Sequence, residues 1–426
     1  MNSPTERPRF AEAVRFWLLL GCISFGGPAG QIAIMHAELV EKRRWVDEAT
    51  FLRALDLCML LPGPEAMQLA TWLGWRLHGL RGGLIAGALF VLPAAVLLAL
   101  LAWAYMRFGH LPVTAAVAFG LQAAVLGLIV HALQRIGTRV LRTPLAIALA
   151  VGALAALALL RWPFPWVLAG AALAGLAAWR FRPQWLPAGG LHGGGEGGQA
   201  GARPSLARAA LRAAVLTAVW WAPLLALAAW LGFDSTAWAM GRFFGQAALV
   251  TLGGAYAVLP YVAERAVHAQ GWLDAGQMMT GLGLAETTPG PLILVLEFVG
   301  FVGAWQHPDL PSPLASAWLG AGVAVWATFL PSFLFVLTLA PWVERIARVG
   351  AAAAMLGAIT AAVVGVIAQL AFWFGARLLG GQDAVGAALV LGIAAATWWA
   401  VGIRRWPVYA VVPAAALLAA ALQAAR

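Results

Sequence analysis

The chain has 426 residues, 62% of them hydrophobic and 10% charged, with a mean hydropathy of +0.84 and a formal net charge of +10. Soluble domains carry about 25% charged residues, so these values exclude a water-soluble globular protein and define an all-α polytopic membrane protein. They also argue against nucleic acid as the partner of the positive charge, because the arginines stand between apolar segments, where the bias for cytoplasmic cations places them.

Met1–Phe10 is polar and leads into apolar sequence with no small-residue cleavage site, so no cleavable signal is expected. Phe16–Met35 is apolar but broken at Phe25-Gly26-Gly27-Pro28, and Glu38–Arg53 forms a charged hook. Phe51–Leu61 and Ala66–Trp75 favour helix on either side of Pro62-Gly63-Pro64, which no continuous helix accommodates. At about 1.5 Å per residue, each arm of about eleven residues reaches roughly half of a 30 Å hydrocarbon core. Conventional spans follow at Leu84–Tyr105, Val113–Val130, Leu145–Leu160 and Phe164–Trp179. A glycine-rich stretch, Gly189–Ala202, is flanked by arginines and reads as a cytoplasmic linker, and Val215–Leu231 is a further span. The second half supplies Trp238–Ala263, broken near Gly253-Gly254, and Met278–Trp305, broken at Pro289-Gly290-Pro291. Ala315–Leu339, Ala351–Gly375, Val385–Val401 and Val408–Ala425 bring the total to about thirteen apolar segments. The cysteines, Cys22 and Cys58, lack metal-ligand spacing, and no metal or cofactor is expected.

The halves repeat. An offset of 227 carries Arg15–Pro64 onto Arg242–Pro291 without interruption, pairing Gly26-Gly27 with Gly253-Gly254, Trp45 with Trp272 and Asp47 with Asp274. Beyond the second break about eleven residues are inserted near Gln306–Ser316 and the offset becomes 238, which pairs Pro93 with Pro331 and Gly127 with Gly365. The organisation expected is a first repeat over 10–179, a linker over 180–212, an extra span over 213–231 and a second repeat over 238–425. Whether the broken segments cross or dip in and return, they add an even number of crossings, and five more spans precede the second repeat. The repeats should therefore be inverted. If the broken segments are re-entrant, Lys and Arg divide 21 inside to 6 outside, against 18 to 9 if they cross, so charge favours re-entry.

Inverted repeats with a discontinuous helix in each half suit alternating access around a midplane site. A helix that restarts with Pro64 or Pro291 at its first position leaves the amides of Glu65, Ala66 and Met67, or of Leu292, Ile293 and Leu294, without intrahelical partners. Those amides and the positive end of the helix dipole favour an anion. Thr287 and Thr288, ahead of the second break, and Tyr256, beside Gly253-Gly254, could donate hydroxyls to it, while Arg15 and Arg242 could attract it. Glu65, Glu286 and Glu297 are the candidates for coupling protons to the anion.

At these residues the sequence resembles a family. Ser24-Phe25-Gly26-Gly27-Pro28, the Trp45–Asp47 hook and Leu61-Pro62-Gly63-Pro64-Glu65 look like the first half of a long-chain chromate ion transporter. Gly253-Gly254-Ala255-Tyr256-Ala257-Val258-Leu259-Pro260 and Ala285-Glu286-Thr287-Thr288-Pro289-Gly290-Pro291 look like its second half. Gln122 departs from the lysine and His131 from the acid that relatives often carry. The resemblance implies chromate export and chromate resistance at a bacterial inner membrane, with sulfate as the chemical look-alike. The expected site comprises Ser24, Gly26, Gly27, Pro62, Gly63, Pro64, Glu65, Gly253, Gly254, Tyr256, Thr287, Thr288, Pro289, Gly290 and Pro291. The expected partners are the anion and the lipid bilayer, with a homodimer left open. A sulfate transporter and an anion channel are the alternatives. No Gly-x-x-x-x-Gly-Lys motif and no catalytic pair point to an enzyme.

Overall fold

A computed structural model of the chain describes residues 8–185, 205–252, 254–342 and 350–424. The glycine-rich stretch and Gly253 lie outside the described residues.

The first repeat opens with α1 (Phe10–Ile23), which stops at Ser24, where the chain turns through Gly26 and Gly27 at φ 88 and 68. The chain returns along α2 (Gly27–His36) and a π-helical turn (Ala37–Lys42), then re-enters as α3 (Glu48–Leu60), whose start is capped by the Asp47 side chain. After Pro62-Gly63-Pro64, the helical run α4 (Glu65–Phe108) begins. This run is not one span. His78 (φ −134, ψ 24) and Gly79 (φ 64, ψ −156) leave the helical region. Beyond them the chain doubles back so closely that a Cβ on Gly74 or Gly82 would strike the other arm. The arms 65–77 and 80–108 are therefore antiparallel, an approach that only small residues permit.

Three contacts fix where these elements begin and end. Arg43 lies 3.5 Å from Glu12, the Trp45 ring is 5.4 Å from that of Phe16, and His78 Nε2 is 2.9 Å from the Pro8 carbonyl. The hook and the His78 turn thus gather around the start of α1, so α1 with α2, and α3 with the first arm of α4, enter and leave by one face. They are re-entrant hairpins.

The second repeat copies them as α9 (Thr236–Val250), α10 (Ala255–Ala263), a π-helical turn (Glu264–Ala269), α11 (Ala275–Thr287), a 3₁₀ turn (Leu292–Leu294) and α12 (Val295–Gln306). Shifted by 227, the two π turns coincide residue for residue, as do α3 and α11. The closing contacts recur too. Trp272 meets Phe243 at 5.7 Å, His307 Nε2 is 3.0 Å from the Gly271 carbonyl, and Asp309 accepts the amides of Thr236 and Ala237 at 2.8 and 2.7 Å.

The second arm of α4 shows that the repeats are inverted. Tyr105 stands about 40 Å along the helix from His78, yet it lies beside Thr280 and Asp274 and 5.7 Å from the Phe298 ring. At the arm's other end Gly83 touches Leu337, near the end of α13 (Pro313–Leu339). The two hooks therefore occupy opposite faces. The remaining helices are α5 (Pro112–Val140), α6 (Pro144–Ala158), α7 (Phe164–Phe181), α8 (Leu206–Leu231), α14 (Gly350–Gly380), α15 (Ala384–Gly402) and α16 (Val408–Ala424). α14 packs on α5, α6 and α7, while α15 and α16 pack on α5. Seven helical runs are long and apolar enough to cross a membrane, among the described residues. With the shorter α6 and α16, the arm 80–108 and eight further helices make the crossings, five of them ahead of α9. The cation-rich face holds the first hook and the starts of α6 and α8, the side that charge bias leads one to expect in the cytoplasm.

Candidate functional site

The four hairpin tips meet inside the protein, and the two repeats hold each other there reciprocally. The Gly63 amide donates to the Thr251 carbonyl at 2.8 Å, and the Gly290 amide donates to the Ser24 carbonyl at the same distance. The offset of 227 maps one bond onto the other. Ser24 and Thr251 are both buried, and their hydroxyls donate back to Leu20 and Ala247 at 2.5 and 2.6 Å. Lipid offers broken backbone no partner, and at Gly63 and Gly290 the opposite repeat supplies the acceptor. Two buried glutamines complete the pairing: Gln31 donates to the carbonyls of Gly290 (2.6 Å) and Ser24 (3.1 Å), and Gln68 to that of Pro62 (2.7 Å).

Gly63 has φ 119, and a Cβ there would overlap the Ser332 hydroxyl of α13. Gly254 has φ 101 and faces Glu65, whose Oε1 lies 3.3 Å from where a Cβ on Gly254 would stand. α10 also packs against the 3₁₀ turn, and Tyr256 donates its hydroxyl to Glu286. Pro62, Glu65, Gly254, Tyr256, Glu286 and Thr287 are partly exposed, so an opening borders the buried cluster.

Four helix starts converge here: α2 at Gly26, α10 at Gly254, α4 at Pro64 and the 3₁₀ turn at Pro291. None has a side-chain cap. Of the helices that begin near the membrane surfaces, α3, α6, α8, α9, α11, α13 and α15 are capped by Asp47, Thr143, Ser205, Ser235, Asp274, Ser312 and Asp383, while α1, α5 and α7 have no side-chain cap. Orphan amides and dipole ends at the tips are thus left without a local acceptor. In one detail the expected geometry is corrected. Pro64 and Pro291 are N-caps in extended conformation (ψ 105 and 133), not first helical residues, because the chain must still be turning there. The Leu294 amide, expected to be free, bonds the Pro291 carbonyl at 2.9 Å and closes the 3₁₀ turn.

The sequence matches the family described as "Chromate transporter" over residues 11–176 and 238–421, both repeats without the linker and α8. The chain belongs to that family. It is 34% identical to the chromate transport protein of Pseudomonas aeruginosa over 378 residues, covering 85% of this chain and 80% of that protein. It is 31% identical to the chromate transport protein of Cupriavidus metallidurans, over 86% of this chain and 82% of that one. A probable chromate transport protein of Synechococcus elongatus shares 28% over 84% and 82%. No solved structure matches the chain. A chromate transporter family member is a multi-pass membrane transporter and not an enzyme.

The other sequence-predicted residues of this transporter divide by position. Pro62, Gly63, Pro64 and Glu65 stand with Gly254 and Tyr256 at one pair of tips, and Pro289, Gly290 and Pro291 with Ser24, Gly26 and Gly27 at the other. Thr287 and Thr288 donate their hydroxyls to Leu284 (2.8 Å) and Ala285 (3.1 Å), so either must rotate before it can donate to a ligand. Arg15 and Arg242 are exposed and nine residues short of the tips, about 14 Å along the helix. They stay outside the cluster. Glu297 is buried in α12, two turns beyond the break, with Oε2 lacking a hydrogen-bond partner. Gln122 donates to Gly276 and Thr280, toward the second hook. Sequence reading missed Gln31, Gln68, Thr251 and Ser332, and also Arg135 of α5, the cation whose charge reaches Tyr256 and Glu286. The duplication offers a signal for Thr251, since it aligns with Ser24. It offers none for the glutamines, which align with Val258 and Val295.

Proposed function

We propose that this chain exports chromate, a tetrahedral divalent oxyanion, across the bacterial inner membrane as a secondary transporter, by alternating access around the four hairpin tips. The observation that carries the site is the convergence of four uncapped helix starts at the meeting of two inverted repeats. A dianion placed there is held by amides and dipole ends with no lysine or arginine needed in contact. Rocking elements of one repeat against the other about the tips would expose the anion to each face in turn.

Glu65 is the proton-coupling residue in this account. It is the first residue of α4 and faces Gly254, so its carboxylate competes with the anion for the same positive helix ends. Protonation removes the competitor and admits the substrate. Tyr256 and Glu286 form a second protonatable pair on the opening, with Arg135 as the cation that draws anions toward it. Sulfate shares the charge and shape of chromate and should compete.

Uptake into proteoliposomes of labelled chromate, with sulfate and phosphate as competitors and with or without a pH gradient, tests the proposal. Chromate uptake that responds to the gradient and is inhibited by sulfate is expected. Absence of chromate uptake in either vesicle orientation would contradict it.

A further inference from the structure

A second feature, a cavity lined by arginines, lies on the outer face. A cavity of about 720 Å³ opens between the α6–α7 turn, the π-helical turn of the second repeat and the middle of α14. Among the described residues, Arg161, Arg265 and His268 line it against a single carboxylate, Glu264. Neither arginine forms an ion pair among the described residues, and Arg265 Nε is buried with no acceptor. Arg161 is held at φ 53, a left-handed conformation unfavourable for a residue with a side chain, in the turn that forms the cavity wall.

The duplication makes these residues stand out. Arg265 and His268 align with Glu38 and Glu41 in the first repeat. There the carboxylates are already engaged, Glu38 with Lys42 at 2.6 Å and Arg43 at 3.4 Å, and Glu41 with His36 at 3.1 Å. The same π turn thus carries satisfied anions on the cytoplasmic face and, on the outer face, an arginine with no ion-pair partner among the described residues, against the usual charge bias. π-helical turns recur at functional sites. α10 runs from Gly254 at the tips to Pro260 in the cavity wall, which sets the two sites at opposite ends of one helix.

We propose that this cavity binds a tetrahedral oxyanion between the guanidinium groups of Arg161 and Arg265, separately from the hairpin tips. Paired guanidiniums suit the several acceptor oxygens of such an anion. The cavity is far larger than a bare ion, which leaves room for retained water or for the glycerol of a lipid headgroup. The same chemistry is offered by free sulfate or chromate and by a phospholipid phosphate.

The test uses the full chain with Cys22→Ser, since Cys58 is buried, and with Gln369→Cys as a reporter in the cavity wall. Modification of the reporter by a neutral maleimide is followed in detergent at constant ionic strength. Sulfate should slow it several-fold where chloride does not, if the site takes free oxyanion. Short-chain phosphatidylglycerol should slow it instead if the site takes a lipid phosphate, and either result supports the proposal. Arg161→Gln with Arg265→Gln should abolish the protection while the protein stays monodisperse and melts as the parent does; each single variant should weaken it. No protection by either compound, equal protection by chloride, or protection that survives in a folded double variant would overturn the proposal.

Discussion

Gly63 and Gly27 make opposite demands on a side chain although both have positive φ. A methyl group on Gly63 would overlap Ser332, whereas one on Gly27 would meet nothing within 4 Å. Gly27→Ala should therefore cost about 1–2 kcal/mol from backbone conformation alone, and Gly63→Ala that much plus the steric displacement of α13, read as a lower midpoint in thermal unfolding of the purified protein. Equal shifts would mean that the Ser332 contact is not tight. The threonines before the second break also separate. Thr287 borders the opening and Thr288 is buried. Thr287→Val should weaken chromate binding, by about 1–3 kcal/mol if a buried hydrogen bond is lost, while Thr288→Val should alter stability more than affinity. Calorimetric titration of both variants checks this. Glu65→Gln should bind the anion and lose the pH dependence of binding, because glutamine cannot titrate; a pH profile like the parent's would leave Glu65 as a helix-end complement only. Residues such as Glu65 were legible in the sequence because the Pro-Gly-Pro break fixes where a helix must start. Gln31 and Gln68 were not, because nothing in sequence says which side chain will reach a broken carbonyl from another element.

The hairpins are the elements on which the account turns, and they were only half legible. Two helical arms around a break have the same total length whether they are collinear and cross or folded and return, so hydropathy cannot separate the cases, and charge alone favoured re-entry. The deciding contacts, His78 with Pro8 and Arg43 with Glu12, join positions far apart in the chain. The long run α4 obscures the same point, since its hairpin rests on Gly79 and on the small residues Gly74 and Gly82. The first hook also has a pH dependence of definite sign. The hydrogen bond from Lys42, aided by Arg43 and opposed by burial, holds the Glu38 carboxyl below its usual range. Its contribution to stability is thus present at neutral pH and is lost as pH falls through and below about 4.3. The pair is largely exposed, so Glu38→Gln should lower stability by less than about 1 kcal/mol, and salt should erase the difference. Unfolding midpoints at neutral and acid pH, in low and high salt, measure it.

At the scale of the whole molecule, the duplication was readable because punctuation survives where other sequence drifts: glycines, prolines and the hook tryptophans keep the offset of 227 while their neighbours change. Inversion followed from counting spans, with α8 supplying the odd crossing. Cysteines at Glu41 and His268 in a Cys22→Ser background should accordingly react with an impermeant reagent from opposite faces, and labelling from one face would break the arrangement. The way the repeats lock together was beyond the sequence, because the bonds from Gly63 to Thr251 and from Gly290 to Ser24 are made by backbone groups that every residue carries. Those bonds hold both breaks together, which supports the proposed carrier with a single central position over two independent half-channels. Counterflow tests this most directly: proteoliposomes loaded with unlabelled chromate and diluted into labelled chromate should show a transient overshoot of label, absent in vesicles without the protein. Label that merely equilibrates, with no overshoot at any internal concentration, would contradict alternating access around the hairpin tips.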